Sequence, residues 1–172
     1  MIKIALHSYI PQNYLDRADV DDAYMHFLVL DFKDGKNYAQ EWAAKVVGKA
    51  LSQRDRSDVV FVCIPASTHL QYVRRYERFS EMVCEICGCV NGFPHIFVAN
   101  DRMPSHVSKR ERNRLNNVVM DADFFRGKKV IIFDDIITTG ATANKMQEKL
   151  RECGANVIGA LFLAKTFHPP KR

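Results

Sequence analysis

Two uninterrupted runs of β-branched and aromatic residues, Asp58 to Ile64 and Lys129 to Phe133, restrict the possible folds of this chain more than any other feature. A strand with one wet face alternates apolar and polar residues, whereas a strand covered on both faces is apolar throughout, as in parallel sheets. Pro65 stops the first run, and two carboxylates follow the second. Helical spacing fills the intervals. Trp42, Val46, Val47 and Leu51 recur with helical period between Tyr38 and Leu51. Gln71 to Val90 reads as a second helix, ended by Asn91-Gly92, and Ala141 to Cys153 as a third, with Gly154 where a left-handed cap is usual. Ile2 to Leu6, Met25 to Phe32, His95 to Ala99 and Val157 to Leu163 read as further strands, with turns at Asp34-Gly35 and Gly127. Ser105 to Asn117 is a basic stretch that fits helix or loop. The alternation implies an α/β fold with a mostly parallel sheet. No repeat, low-complexity tract or linker divides residues 1–172, so one domain is expected.

Composition adds exclusions. Of 172 residues, 47% are hydrophobic and 26% charged, ordinary for a chain that builds one sizeable core. The formal charge of +5 favours anionic ligands but is too small to imply nucleic-acid binding by itself. No apolar run is long enough to cross a bilayer, and Met1 to His7 is too short and too polar for a secretion signal. Five cysteines, an odd count, fit reduced thiols in a cytoplasmic protein.

The chemistry concentrates in Val130-Ile131-Ile132-Phe133-Asp134-Asp135-Ile136-Ile137-Thr138-Thr139-Gly140-Ala141-Thr142. A buried strand brings two carboxylates to its carboxyl end, where open α/β sheets place their ligands. Backbone amides of the following turn, with a helix amino end behind them, form an anion cradle. Thr138, Thr139 and Thr142 can add hydroxyl donors, and Gly140 permits close approach of a phosphate. Carboxylates beside such a cradle repel its ligand unless something lies between them. A ribose does so, with hydroxyls for the acids and a 5′-phosphate for the cradle. A buried strand with an Asp-rich turn and a threonine cap explains Val130 to Phe133 but not the whole order. The chain has no Gly-x-x-x-x-Gly-Lys-Ser/Thr and no Gly-x-Gly-x-x-Gly after a strand, which disfavours P-loop and dinucleotide-binding folds.

Position by position, this segment resembles the signature of the type I phosphoribosyltransferases: four apolar residues, an acidic pair, two apolar residues, then Thr-Thr-Gly-x-Thr. The resemblance implies that Asp134 and Asp135 contact ribose hydroxyls of phosphoribosyl pyrophosphate, and that Ile136, Ile137, Thr138, Thr139, Gly140, Ala141 and Thr142 hold its 5′-phosphate. It also implies a central, mostly parallel sheet flanked by helices, with a small hood from the amino-terminal part. Similarity extends more loosely to the ComF-like branch, over roughly Leu30 to Lys165. Leu30-Asp31-Phe32-Lys33-Asp34-Gly35-Lys36 is similar to that branch's strand-turn-helix opening. Val60 to Ser67 is similar to its first strand and diphosphate loop, Arg74, Arg75, Tyr76, Arg78 and Phe79 to its arginine-rich element, and Arg110-Glu111-Arg112-Asn113 to its basic stretch. The zinc ribbon common in that branch is missing, since no cysteine precedes Asp58.

Pro65, Ala66, Ser67 and Thr68 are candidates for holding pyrophosphate, or equally a plain strand-to-helix turn with Ser67 or Thr68 as cap. Arg102 to Arg114 matches the mobile basic loop that closes over pyrophosphate in the family, with Lys109, Arg110 and Arg112 expected to act as a group. A solvated charged face, or non-specific attraction to nucleic acid, are the other readings of that run. Cys84, Cys87 and Cys89 lie close in sequence but lack a fourth zinc ligand, so buried thiols are expected. His168 lies where the family's last loop often touches the base, although a surface histidine is the plainer description.

The resulting expectation is an enzyme that displaces pyrophosphate from C1 of magnesium-bound phosphoribosyl pyrophosphate with a nucleobase-like nitrogen. Magnesium is expected to be held mainly through substrate oxygens and water. A non-catalytic nucleotide sensor and a ComF-like accessory to DNA uptake remain open alternatives. The acceptor and the oligomeric state, a homodimer among the options, are not legible. Two carboxylates at the end of an apolar run should gain nothing from packing and repel one another. They are therefore expected to matter for binding and not for folding.

Overall fold

In the computed structural model, residues 1–99 and 115–167 are described. The elements are β1 (Ile2–Tyr9), a 3-10 turn (Gln12–Arg17), α1 (Val20–Lys33), α2 (Asn37–Leu51), β2 (Val59–Cys63), α3 (His69–Cys87) and β3 (Val90–Asn91). There follow β4 (Ile96–Val98), β5 (Val118–Met120), α4 (Ala122–Phe125), β6 (Lys129–Ile137), α5 (Ala141–Glu152) and β7 (Asn156–Thr166). Five strands form one parallel sheet in the order β1-β7-β6-β2-β3, and β4 pairs antiparallel with β5 in a separate two-stranded sheet.

The two apolar runs are neighbours at the centre of the sheet. Val59 to Cys63 pairs in register with Lys129 to Phe133, and every residue of β2 is buried. Phe133 joins the sheet to the helices. Its ring lies 4.8 Å from Phe79 of α3, 5.8 Å from Phe61 of β2 and 6.2 Å from Phe32 of α1. Aromatic pairs at such separations add to plain area burial.

Several sequence expectations change. Met25 to Phe32 is not a strand but the second half of α1, with His26, Leu28, Val29 and Phe32 buried. The run is apolar on both parities and so imitates a buried strand. What decides for helix lies upstream: the Asp19 side chain accepts from the Asp22 amide, and Asp21 and Asp22 occupy the positive first turn. Leu30 to Lys36 is accordingly helix-turn-helix, not strand-turn-helix. α3 stops at Cys87 because Gly88 takes the left-handed conformation (φ 73°), which frees Val90-Asn91 to pair with Val60-Phe61. β6 runs past Phe133 to Ile137. The amino-terminal part, expected as a hood, places β1 on the edge of the main sheet beside β7.

Gly35, between α1 and α2, has a structural reason. It has φ 72°, and a Cβ there would lie 2.8 Å from the Arg74 carbonyl oxygen, so the turn packs directly on α3. All five cysteines are free thiols. Burial pushes the Cys84 thiol up to about 12. The Cys89 hydrogen bond brings Cys87 down to about 7 against the opposing effect of burial, with Arg56 helping.

Replacing Phe133 by Ala should destabilise the fold by about 3–5 kcal/mol in urea unfolding, the usual cost of deleting a buried aromatic. A loss below about 1 kcal/mol would mean the helices are not anchored through this ring.

Candidate functional site

Chain connections leave the centre of the sheet in opposite directions. From β2 the chain crosses through α3 to β3 on one side; from β6 it crosses through α5 to β7 on the other. Between such strands the loops diverge and open a crevice at the carboxyl ends, the usual ligand position in α/β sheets. The segment after β2, Ile64 to Thr68, and the segment after β6, Thr138 to Thr142, both start there. The Ile64 amide donates to the Phe133 carbonyl at 2.8 Å.

β2 ends at Cys63, opposite Phe133, while β6 continues beside β7. Asp134 and Asp135 therefore occupy the stretch where β6 has lost its β2 neighbour. Both are buried, with 4% and 3% of their surface exposed, which calls for compensating partners. α3 supplies most of them. Arg75 Nη1 donates to Asp135 Oδ2 at 3.1 Å, and the Tyr76 hydroxyl donates to Asp134 Oδ1 at 3.2 Å. Lys33, at the end of α1, brings its ammonium to 3.9 Å from the same Asp135 oxygen. Asp134 Oδ1 also accepts from the Asp135 amide and Asp135 Oδ1 from the Ile136 amide, at 3.0 and 2.7 Å.

The partners are themselves fixed. Arg75 Nε donates to the Lys33 carbonyl at 3.0 Å, and the Gln40 amide of α2 donates to the Arg74 and Arg75 carbonyls. Burial, then the two carboxylates, push the Tyr76 hydroxyl well above its ordinary pKa. Burial works against the Arg75 guanidinium, yet Tyr76 and Asp135 outweigh it and hold its pKa above the ordinary value. The acid pair is thus braced by packing, contrary to the expectation that it gains nothing from the fold. Removing both charges should cost stability, because Arg75 and Lys33 would lose their counter-charge.

Ile136 and Ile137, expected in the phosphate loop, are the last residues of β6 and pair with Ala164 and Lys165 of β7. Thr138 and Thr139 are exposed, and Gly140 caps α5 in the left-handed conformation at φ 76°. No side chain caps the first turn there, although Thr139 Oγ1 lies 3.4 Å from the Ala141 amide. Ala141 and Thr142 form that first turn. Helix amides so placed, with the positive end of the dipole, suit an anion. One cation at this loop gave no sequence signal: Lys3 of β1 brings Nζ to 3.5 Å from the Gly140 carbonyl.

Opposite, Pro65 and Ala66 are buried, Ser67 is exposed, and Thr68 caps α3 by accepting from the Gln71 amide at 3.2 Å. The cap uses Thr68 Oγ1 as an acceptor only, so its O–H can still donate, and Ser67 is the exposed hydroxyl of that turn. Lys109, Arg110, Arg112 and His168 lie outside the described residues. Among the described residues, no group of three or more His, Cys, Asp or Glu is placed to hold a metal ion. No helix there is long and apolar enough to cross a membrane.

Residues 100–171 match the family model of the phosphoribosyl transferase domain. An orotate phosphoribosyltransferase of Staphylococcus saprophyticus is 29% identical over 75 residues, covering 42% of this chain and 37% of that protein. An adenine phosphoribosyltransferase of Rhizobium leguminosarum is 51% identical over 37 residues, covering 22% of this chain and 20% of that protein. A solved allosteric regulatory enzyme of purine biosynthesis superposes with a TM-score of 0.47 at 22% identity, over 72% of this chain and 26% of that one. The chain spans 37% and 52% of the length of two orotate relatives it matches. The parallel sheet flanked by helices is the α/β arrangement that the sequence led one to expect.

A double-mutant cycle tests the bracing. Arg75→Gln alone should cost about 3 kcal/mol, since it strips a buried carboxylate of its main partner. Adding Asp135→Asn should recover part of that loss, giving a coupling of at least about 1 kcal/mol. Additive losses in urea unfolding would show that the contact contributes nothing specific.

Proposed function

We propose that this chain is a phosphoribosyltransferase that binds phosphoribosyl pyrophosphate in the crevice between β2 and β6 and transfers its phosphoribosyl group to a nitrogen acceptor. One observation carries the reading: an acid pair near the end of β6 is followed two residues later by an exposed threonine turn and the open amino end of α5, at the switch point of a parallel sheet. In this reading the 5′-phosphate lies on Thr138 to Thr142, with Lys3 adding positive charge at its edge. Asp134 and Asp135 accept from the ribose hydroxyls. Each carboxylate offers about four lone-pair directions, and Asp135 Oδ1 accepts from the Ile136 amide. The diphosphate faces Pro65 to Thr68, chiefly Ser67 and the amides around it.

The acceptor nitrogen attacks C1 while the bond from C1 to the pyrophosphate oxygen breaks, and pyrophosphate leaves with the electron pair. Positive charge grows on the ribose during this step. The acid pair lies on the side where it is stabilised, and Lys109, Arg110 and Arg112 neutralise the leaving group. The donor set fits magnesium only as a companion of the substrate, because the acid pair already serves Arg75, Tyr76 and Lys33 and forms no cage. When bound, magnesium would offset diphosphate charge through substrate oxygens.

The acceptor is a nucleobase or a similar nitrogen heterocycle, with orotate and adenine the first to test because the matched relatives act on them by name. The ComF-like affinity rests on loose similarities spread over roughly Leu30 to Lys165, one of which, at Leu30 to Lys36, places a strand where the chain is helix. A cytoplasmic, reduced setting belongs to the same proposal and fits five free thiols. The near-complete burial of the acid pair favours one second reading, a sensor that holds phosphoribose without turning it over.

With magnesium, phosphoribosyl pyrophosphate should raise the melting temperature, and the correct base should release pyrophosphate. Asp134→Asn with Asp135→Asn should weaken binding on the order of tenfold to a hundredfold for each charge-assisted hydrogen bond lost. Replacing Lys109, Arg110 and Arg112 by Ala should lower turnover more than affinity. Binding without pyrophosphate release for any base would establish the sensor; no binding at all would end both readings.

A further inference from the structure

Toward the amino ends of β1, β6 and β7 lies a second cavity, of about 490 Å³, lined by these strands, the end of α2 and the segment that follows it. The volume is within the range of small-molecule sites. Its walls are apolar, with Ile2 and Ile4 of β1, Ile131 of β6 and Ile158 of β7 among them. Two cations, Arg54 and Arg56, complete the lining. Among the described residues neither guanidinium is ion-paired; the hydrogen bond of Arg56 goes to the Leu51 carbonyl at 3.4 Å.

Gly159 makes the third observation. It pairs with Ile2 on one side and Ile131 on the other, so it sits in the floor of the cavity. Its φ is not positive, and a Cβ there would meet nothing closer than the Ile2 carbonyl oxygen at 3.6 Å. The fold itself therefore does not require glycine. A glycine inside a strand gives up packing and weakens the strand, and such positions often mark the close approach of a ligand.

We infer that this cavity binds a small organic anion with an apolar body, its body on the aliphatic floor above Gly159 and its carboxylate facing Arg54 and Arg56. Apolar walls without cations suit any oily molecule, and surface arginines without walls suit any anion. Together they select an amphipathic acid, since a guanidinium binds a carboxylate through two parallel hydrogen bonds. The site is separate from the phosphoribose crevice and does not depend on that assignment. Ile2 and Ile4, 70% and 54% exposed, leave its outer edge open to solvent.

Displacement of the fluorophore anilinonaphthalene sulfonate from the folded chain tests this, with decanoate as competitor and decanol as its uncharged counterpart. Decanoate should displace the dye from one saturable site, and decanol should be at least about tenfold weaker, the effect of losing one charged hydrogen bond. Arg54→Gln with Arg56→Gln should remove that preference while leaving decanol unchanged. Gly159→Leu should abolish binding of both and leave the melting shift with phosphoribosyl pyrophosphate intact. If that variant fails to fold, the arginine variants and Gly159→Ala, which should weaken binding, still decide. Equal binding of acid and alcohol, or displacement unaffected by Gly159→Leu in a folded protein, would overturn the proposal. So would a dimer that Ile4→Glu splits and that takes no decanoate, which would assign the face to a second copy.

Discussion

The contact between Arg75 of α3 and the buried Asp135 of β6, 3.1 Å long, fixes the geometry on which the candidate site depends. Two adjacent carboxylates at the end of a covered strand repel one another and lose hydration, and either effect alone would expel them. Arg75, Lys33 and Tyr76 offset both. Because Arg75 and Tyr76 are on α3 and Lys33 closes α1, the same contacts dock two helices on the end of β6. Gln40 then ties α2 to the backbone of α3 at Arg74 and Arg75. The acid pair is thereby a joint between sheet and helices as well as a candidate ligand contact.

Topology gives that joint its use. A parallel sheet whose connections diverge between β2 and β6 cannot cover the carboxyl ends of those two strands with a single helix. Loops fill the space instead, and here one contains an exposed Ser67 and the other exposed Thr138 and Thr139 before the amino end of α5. Donors from two loops and acceptors from one strand therefore lie at the same end of the sheet. Toward their amino ends β1, β6 and β7 line a cavity with aliphatic side chains and Gly159, and two arginines after α2 complete it, so the two ends of one sheet differ in chemistry.

Much of this was legible because it depends on local order. The apolar runs at β2 and β6, the helical period of α2, Gly154 after α5 and the whole Val130 to Thr142 segment each contain their own signal. Gly154 does take φ 79°. What the sequence withheld depends on distance along the chain. Nothing near Asp135 names Arg75, which is 60 residues away, and nothing near Gly140 names Lys3, 137 residues away. α1 was misread because an apolar run of both parities satisfies strand and helix alike, and the Asp19 cap that decides between them stands outside the run. Thr68 shows that a structural role is no bar to a second one: its hydroxyl caps α3 as an acceptor and keeps its own O–H as a donor.

The proposed function puts phosphoribose at the carboxyl ends of β2 and β6. Amide NMR spectra recorded while ribose 5-phosphate and then phosphoribosyl pyrophosphate with magnesium are titrated in would test it most directly. The account predicts that ribose 5-phosphate shifts the amides of Asp134 to Ala143 and that the diphosphate adds those of Ala66 to Thr68. Ile2, Ile4 and Gly159 should remain unmoved throughout. Saturable shifts confined to other strands, or none at Thr138 to Thr142, would contradict it.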